Sequence, residues 1–163
     1  MKALSTLLRS RLAAQPWKPA MGAGLAIALL AGLKGVGLLP FLIAPLGASA
    51  TLVWMVPNSP LARARSVIGG SLVSALIGFG VLTISGATPW GIGFAVGLAI
   101  LAMALLDVLH APAGALPLVI GINHPEPVSF IATLAFSTIL LVVLGHLYRG
   151  LTERKPKSQS DHF

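Results

Sequence analysis

The sequence has no cysteine and few charged or aromatic side chains. Of its 163 residues, 9% are charged and 6% are aromatic, whereas about 25% of an ordinary soluble domain is charged. The absence of Cys excludes disulfides, thiolate metal sites and cysteine catalysis. Four acidic residues and four His leave too few convergent groups for a hydrolase or for a metal site of three or more ligands. We therefore expect no enzyme activity, no cofactor and no metal.

Apolar residues are abundant instead. They make up 56% of the chain, and the mean hydropathy of +0.92 is typical of an integral membrane protein. The 18 Gly and 12 Pro would be unusual in soluble helices, but close helix packing and discontinuous helices in membranes use both. These features predict an all-α fold, a polytopic helical bundle in the lipid bilayer.

A short sequence containing proline and glycine occurs twice. Residues 44–48 read APLGA, and residues 111–115 read APAGA, 67 positions later. Because Pro lacks a backbone donor and Gly relaxes the restriction on φ, we expect each copy to interrupt a transmembrane helix. Irregular backbone persists in a bilayer only where protein buries it or where it lines a wet cavity. The two copies are therefore the leading candidates for a functional site.

The apolar sequence divides into six segments around these copies. They cover residues 20–39, 41–56, 66–84, 90–110, 111–122 and 128–148. Superposing the copies pairs the first three segments with the last three. If all six cross, the chain forms two inverted three-segment repeats with broken second helices, at residues 20–85 and 90–149. The alternative is four crossings, with segments two and five re-entrant.

The distribution of basic residues favours six crossings. We expect an amphipathic cytoplasmic N-terminus at residues 1–19, a transmembrane domain at 20–150 and a disordered cytoplasmic tail at 151–163. Six crossings put ten of the eleven Lys and Arg on the cytoplasmic side, whereas re-entrant segments would move Arg63 and Arg65 outside. The net charge of +7 thus fits a bacterial inner-membrane protein with both termini cytoplasmic, and no nucleic-acid partner. An organelle presequence is an alternative reading of the N-terminus.

The interrupted helices suggest an anion site. A half-helix that starts inside the membrane directs free N–H groups and the positive end of its dipole towards the break, which favours an anion. Hydroxyl groups nearby could add donors. The alternative is structural, with Pro kinking the helices and Gly and Ala allowing close packing. The predicted substrate-binding residues are Pro45, Gly47, Ala48, Ser49, Thr51, His110, Pro112, Gly114 and Ala115.

A further hypothesis is proton coupling at the end of segment four. Asp107 and His110 are three residues apart and share one face if the helix continues to His110. A carboxylate there should face a partner or water, and an imidazole titrates near neutrality. The pair could carry a proton with the anion, or could cap and pair structurally at the interface. Lys34 could attract anions to an outer mouth, although snorkelling to lipid headgroups explains it as well.

Three stretches resemble the HPP family of integral membrane proteins. They are PLGASA at residues 45–50, PNSPLA with RSVIGG within residues 57–70, and HAPAGA at residues 110–115. The resemblance covers residues 20–150. The His-Pro-Pro triplet of the family reads His110-Ala111-Pro112 here, so its first proline is replaced. Members are described with four spanning helices, and plant plastid and cyanobacterial members as nitrite transporters, so the resemblance implies small-anion transport.

Transport of a small inorganic anion, with nitrite as the first candidate, is the function that this combination favours. An anion channel uses the same lining groups, and a structural or accessory subunit would lack a path to the breaks. Because a bundle this small has little interior of its own, we expect a homo-oligomer, a dimer or higher. The expected partners are the lipid bilayer, the anion and further copies of the chain.

Overall fold

The described part of the chain is built from α-helices joined by short turns. The computed structural model describes residues 15–40 and 42–152, and no β-strand occurs among them. The six helices are α1 (Trp17–Gly35), α2 (Pro45–Met55), α3 (Ser71–Ser85), α4 (Pro89–Leu105), α5 (Leu116–Asn123) and α6 (Pro127–Thr152). The predicted all-helical fold is thereby confirmed.

Wider or tighter helical turns extend two of these helices at their N-terminal ends. A π-helical turn, Ser66–Gly70, runs directly into α3, and a 3₁₀ turn, Ala111–Ala115, runs into α5. Ser66–Ser85, with 20 residues, and Pro127–Thr152, with 26, are long and apolar enough to cross a membrane. An α-helix of 20 residues reaches about 30 Å, the thickness of the hydrocarbon core. These two helices match predicted segments three and six.

Proline and polar side chains determine where the helices begin. Pro lies in the first turn of α2, α4 and α5, where its missing N–H costs no intrahelical bond. The Thr88 hydroxyl accepts a hydrogen bond from the Gly91 amide at 3.0 Å and caps α4. The Glu126 carboxylate accepts from the amides of Val128 and Ser129, at 3.0 and 2.6 Å, where α6 starts. These caps satisfy amides that lipid would leave unpaired.

The fourth predicted segment is shorter than expected. α4 ends at Leu105, five residues before His110, because the chain turns back on itself. The Val108 amide donates to the Met103 carbonyl oxygen at 2.9 Å, and Asp107 has a φ of 54° that no helix accommodates. Asp107 and His110 therefore do not share a helix face, and that prediction was wrong.

Both repeated sequences lie at the start of a helical segment rather than within one. α2 begins at Pro45, and residues 42–44 before it are not helical. The second copy forms the 3₁₀ turn Ala111–Ala115, directly after an extended His110 with φ −134° and ψ 106°. The 11 residues of α2 make it about 16 Å long, too short to cross the hydrocarbon by itself. Each segment thus combines non-helical chain with one short helix.

The predictions for the chain ends fall mostly outside the described residues. Residues 1–14 and 153–163 hold most of the expected amphipathic N-terminus and most of the expected tail, and they lie outside the description. Within it, α1 begins at Trp17, and α6 continues through Thr152, two residues past the predicted end of the transmembrane domain.

Two apolar clusters form the core, and they use positions that are 67 residues apart. The first gathers side chains from α1, α2, α6 and the π-helical turn, and the second gathers them from α3, α4, α5, α6 and the 3₁₀ turn. The corresponding pairs are Leu46 with Ala113, Val53 with Ile120, Val67 with Leu134, and Val142 with Ala75. The spacing of the repeated sequence therefore recurs in the packing of the core.

Two glycines with the same spacing allow close contacts between long and short helices. A Cβ atom on Gly78 in α3 would lie 2.9 Å from Ile120 Cδ1 in α5. A Cβ atom on Gly145 in α6 would collide with Val53 Cγ1 in α2. Gly78 and Gly145 are 67 residues apart, and so are Val53 and Ile120. Each long helix thus packs, through a glycine, against the short helix of the other half.

Candidate functional site

The two repeated segments meet at a buried hydrogen bond. Ser49 Oγ in α2 lies 2.8 Å from Nε2 of His110, the residue before the 3₁₀ turn, and the two residues are 2% and 0% exposed. Nδ1 of the same ring lies 2.8 Å from the Leu61 carbonyl oxygen, in the 3₁₀ turn Pro60–Ala62. His110 therefore joins α2, the second repeated segment and the turn that follows α2.

The groups around His110 determine how its protons are arranged. A carbonyl oxygen only accepts, so Nδ1 carries a proton and donates to Leu61, and in the neutral ring Nε2 accepts from the Ser49 hydroxyl. Ser49 Oγ also lies 3.1 Å from the Pro45 carbonyl oxygen. If Nε2 gains a proton, it donates to Ser49 Oγ, and the hydroxyl proton turns to Pro45. Both protonation states of the ring are therefore fully hydrogen-bonded.

Close backbone packing fixes the segment that carries His110. A Cβ atom on Gly70 would collide with the Val108 carbonyl oxygen and would lie 3.0 Å from His110 Cβ. Four residues further on, the fully buried Ser74 hydroxyl donates to the Ala113 carbonyl oxygen at 2.6 Å. The small residues at the start of this long helix thus allow close contact, and the Ser74 hydroxyl satisfies a carbonyl group of the 3₁₀ turn.

The free amides expected at the two breaks are paired instead. The amides of Leu46 and Gly47 each donate to the carbonyl oxygen three residues back, at 3.0 Å. The Ala113 amide donates in the same way to His110, also at 3.0 Å. Amides that close such 3₁₀-type turns are not free to bind a ligand. The prediction of unpaired amides facing the break is therefore wrong at these positions.

The predicted substrate-binding residues divide between the interior and the surface. Exposed residues are Gly47, Ala48, Thr51 and Ala115. Partly buried residues are Pro45, Pro112 and Gly114. The Thr51 hydroxyl donates to the Gly47 carbonyl oxygen at 3.1 Å, so it is used within α2. Of the nine residues, the structure buries only Ser49 and His110 and brings them into contact.

Asp107 lies at the surface and pairs with Arg65. The ion pair joins the turn after α4 to the residue before the π-helical turn, and the two side chains are 80% and 54% exposed. His110, three residues from Asp107, is fully buried. Asp107 and His110 therefore do not form a buried proton-relay pair. The sequence analysis used Arg65 only to assign the orientation of the chain in the membrane. It did not predict the pairing of Arg65 with Asp107.

Two cavities share Pro40 as a lining residue. One, of about 460 Å³, is lined by Lys34, Ile43, Ala44 and Asn123 among others, and we call it the Lys34 cavity. The other, of about 450 Å³, is lined by residues that include Leu39, Ala132, Thr133 and Phe136, and we call it the Ala132 cavity. The Lys34 cavity reaches Ala44, where the first repeated sequence begins.

Leu61 and Asn123 also belong to this region, and the sequence analysis did not identify them, for different reasons. Leu61 acts through its backbone carbonyl group, which leaves no signal in the residue type. Asn123 lines the Lys34 cavity from the end of α5, and its side-chain amide donates to the Val119 carbonyl oxygen at 2.9 Å. The sequence analysis placed Asn123 in the loop between segments five and six, where nothing indicated that it lines the same cavity as Lys34.

These features define a class, a helical membrane protein in which two interrupted segments meet at a buried polar contact. Residues 9–157 match the family described as HPP, transmembrane region. The chain therefore belongs to the HPP transmembrane family, and the resemblance is confirmed. A Dictyostelium discoideum protein, named as a transmembrane protein, is 35% identical over 83 residues, which are 48% of this chain and 27% of that relative. No solved structure matches the chain.

Proposed function

We propose that the protein transports a small inorganic anion and is built from two inverted repeats. The 67-residue spacing recurs in the repeated sequence, in both apolar clusters and in the glycine contacts, which supports a duplication. Three crossings in each half would give the halves opposite orientations. Transporters of this kind bind their substrates where interrupted segments meet.

The observation that carries the proposal is the contact between Ser49 and His110. It lies where two segments, each too short to span as one helix, come together in a bundle whose core consists mainly of apolar side chains. Non-helical backbone and buried polar side chains are costly at membrane depth and concentrate along transport paths. A purely structural protein could fill the same positions with apolar residues.

The Lys34 cavity supports an anion as the substrate. It is lined by Lys34, a basic residue, and by Ala44, at the N-terminal and therefore positive end of α2. Two sources of positive potential at one cavity raise the local concentration of anions. The anion then enters here and passes the contact between Ser49 and His110. Nitrite is the first substrate to test, because the family resemblance implies it.

Proton coupling remains part of the proposal, through His110 alone. The ring can hold one or two protons without losing a hydrogen bond, because the Ser49 hydroxyl can donate either to Nε2 or to Pro45. A proton taken up with each anion would neutralise its charge during the crossing. Asp107 has no part in this step, since it lies at the surface.

The location and assembly belong to the same proposal. A transporter of this type lies in the bacterial inner membrane, with both termini on the cytoplasmic side. A homo-oligomer would cover the exposed faces of the two segments, where Gly47, Ala48 and Ala115 reach the surface. The protein acts without a cofactor or a nucleic-acid partner and is not an enzyme.

The direct test is nitrite uptake by proteoliposomes that hold the purified protein, with and without a pH gradient. We expect saturable uptake that the gradient stimulates. Lys34→Gln should lower uptake several-fold at low nitrite, and Lys18→Gln, which removes the same charge elsewhere, should leave it unchanged. Non-saturable flux would favour a channel. No flux of any small anion through folded protein would favour a structural or accessory subunit.

A second variant tests the path through the second segment. Gly114→Leu should abolish flux and leave the protein folded, since a Cβ atom there meets only Ile100, at 3.7 Å. Gly97→Leu is the matched control, because Gly97 in α4 is exposed and a Cβ atom there meets nothing within 4 Å. Unchanged flux in the Gly114 variant would rule out a substrate path at this segment.

A further inference from the structure

Positions that are joined at one contact between the two halves of the molecule border an open space at the related contact. Arg65 and Asp107 form an ion pair. Their counterparts, 67 positions away, are Ala132 and Pro40, and both line the Ala132 cavity of about 450 Å³. A contact between the halves that is closed by charge at one place thus corresponds to a cavity at the related place.

A second pair of positions shows the same difference. His110 donates from Nδ1 to the Leu61 carbonyl oxygen at 2.8 Å. The counterparts of these two residues are Ile43 and Val128. Ile43 lines the Lys34 cavity, and Val128 is 75% exposed. Since Pro40 lines both cavities, the open spaces lie side by side.

The long helices repeat the difference a third time. Ser66, at the start of the π-helical turn, is 3% exposed, and its hydroxyl donates to the Pro60 carbonyl oxygen at 3.0 Å. Its counterpart in α6, Thr133, is 7% exposed and differs in lining the Ala132 cavity. Gly70 closes on the Val108 carbonyl group, whereas the hydroxyl of its buried counterpart, Ser137, has no hydrogen-bond partner among the described residues.

We propose that the Arg65–Asp107 ion pair and the His110–Leu61 hydrogen bond form a closed gate at one mouth of the transport path. The Lys34 and Ala132 cavities form the open mouth, and during transport the gate opens while these cavities close. This inference rests on the proposed function and specifies how access to the transport path is controlled. In transporters with inverted repeats, such gating of one repeat against the other gives alternating access. Exposed ion pairs contribute little to stability, so the ion-pair part of this gate opens at low cost.

The absence of native Cys allows a direct test by cysteine accessibility. Thr133→Cys and Ser66→Cys are made separately and labelled in proteoliposomes with a membrane-impermeant maleimide supplied on both sides. We expect Cys introduced at 133 to react at least tenfold faster than Cys introduced at 66. The pair Val128→Cys and Leu61→Cys repeats the comparison if Ser66→Cys does not fold. Equal rates in both pairs would overturn the proposal.

The gate itself is tested by opening it. Arg65→Ala, added to each cysteine variant, should raise labelling at 66 about two- to fivefold and lower labelling at 133, because a weak contact shifts the equilibrium modestly. Asp107→Asn should act in the same direction and less strongly, and Asn tolerates the positive φ at this position. Arg63→Ala, which removes a charge two residues away, should change neither rate. Labelling rates at positions 66 and 133 that rise together, or that do not change, would exclude a mechanism in which one mouth opens as the other closes.

This experiment separates the gate from the choice of substrate. Labelling requires no anion, so opposite shifts at positions 66 and 133 would support the gate even if nitrite were not transported. Nitrite uptake that persists while Arg65→Ala leaves both labelling rates unchanged would reject the gate and keep the proposed function.

Discussion

The two repeated segments keep the same packing but bury different chemistry. APLGA begins α2 directly at Pro45, whereas APAGA first forms the 3₁₀ turn Ala111–Ala115. Ser49 and His110 form a polar contact, and their counterparts 67 positions away, Leu116 and Ile43, belong to or pack against the second apolar cluster. The polar contact thus occurs only once in a pair of halves whose apolar contacts occur twice. A duplication can therefore preserve a scaffold while each half contributes one polar residue, Ser49 or His110, to just one of the two related contacts.

Among the variants that test this difference between the two segments, His110→Ala should lose the most stability. The change leaves the Leu61 carbonyl group without its partner, leaves the Ser49 hydroxyl only the Pro45 carbonyl oxygen, and creates a cavity, which should cost about 3 to 5 kcal/mol of stability. Thermal unfolding in detergent measures it. His146→Ala, at an exposed position of α6, is the control and should change stability by less than about 0.5 kcal/mol. A small loss in His110→Ala would show that the polar contact does not hold the segments together.

The next largest losses of stability are expected at two glycines. They test whether the glycine contacts are equivalent in the two halves. Gly78→Ala and Gly145→Ala each introduce a Cβ atom into Ile120 or Val53, and each should cost about 1 to 3 kcal/mol through overpacking. Gly80→Ala, where a Cβ atom meets nothing within 4 Å, should not destabilise α3. Denaturation by SDS compares the three variants. A loss of stability in only one of the variants Gly78→Ala and Gly145→Ala would show that the two glycine contacts are not equivalent.

Ser49→Ala should have a smaller effect than His110→Ala. It removes one hydrogen bond and leaves Nε2 of His110 unpaired, at a cost of about 1 to 2 kcal/mol. Thr51→Ala, two residues away on the exposed face of α2, removes a hydroxyl that bonds only to its own helix and should be nearly neutral. Thermal unfolding ranks the variants, and equal losses at the two positions would contradict the assignment of Ser49 as the interior partner.

The smallest expected effects concern the glycines of the repeated sequence. A Cβ atom on Gly47 meets nothing within 4 Å, and one on Gly114 makes only an ordinary contact at 3.7 Å. Gly47→Ala should therefore leave stability unchanged or raise it by up to about 1 kcal/mol, and Gly114→Ala should be close to neutral. If Gly47→Ala instead lowers thermal stability in the assembled protein, a neighbouring copy of the chain packs on this face.

The sequence predicted the positions of the helices better than the groups at the site. Hydropathy and the Pro–Gly pattern located the interrupted segments, and the segment from Ser66 was predicted almost to its last residue. The unpaired amides were predicted wrongly, because residue types do not reveal that the chain closes 3₁₀ turns at Leu46 and Gly47. The partner of Asp107 was missed, because Arg65 lies 42 residues away and only folding brings the two together.

The sequence by itself determined that the chain is a membrane protein made of helices, since apolar composition, length of segment and the scarcity of charge do not depend on the final packing. It also determined where the helices are interrupted, because Pro and Gly act on the local backbone. Tertiary structure alone decided that Ser49 meets His110, that Asp107 faces Arg65, and that one contact between the halves is closed where the related one holds a cavity. These are contacts between residues far apart in the chain, and their energies depend on geometry that local sequence does not encode.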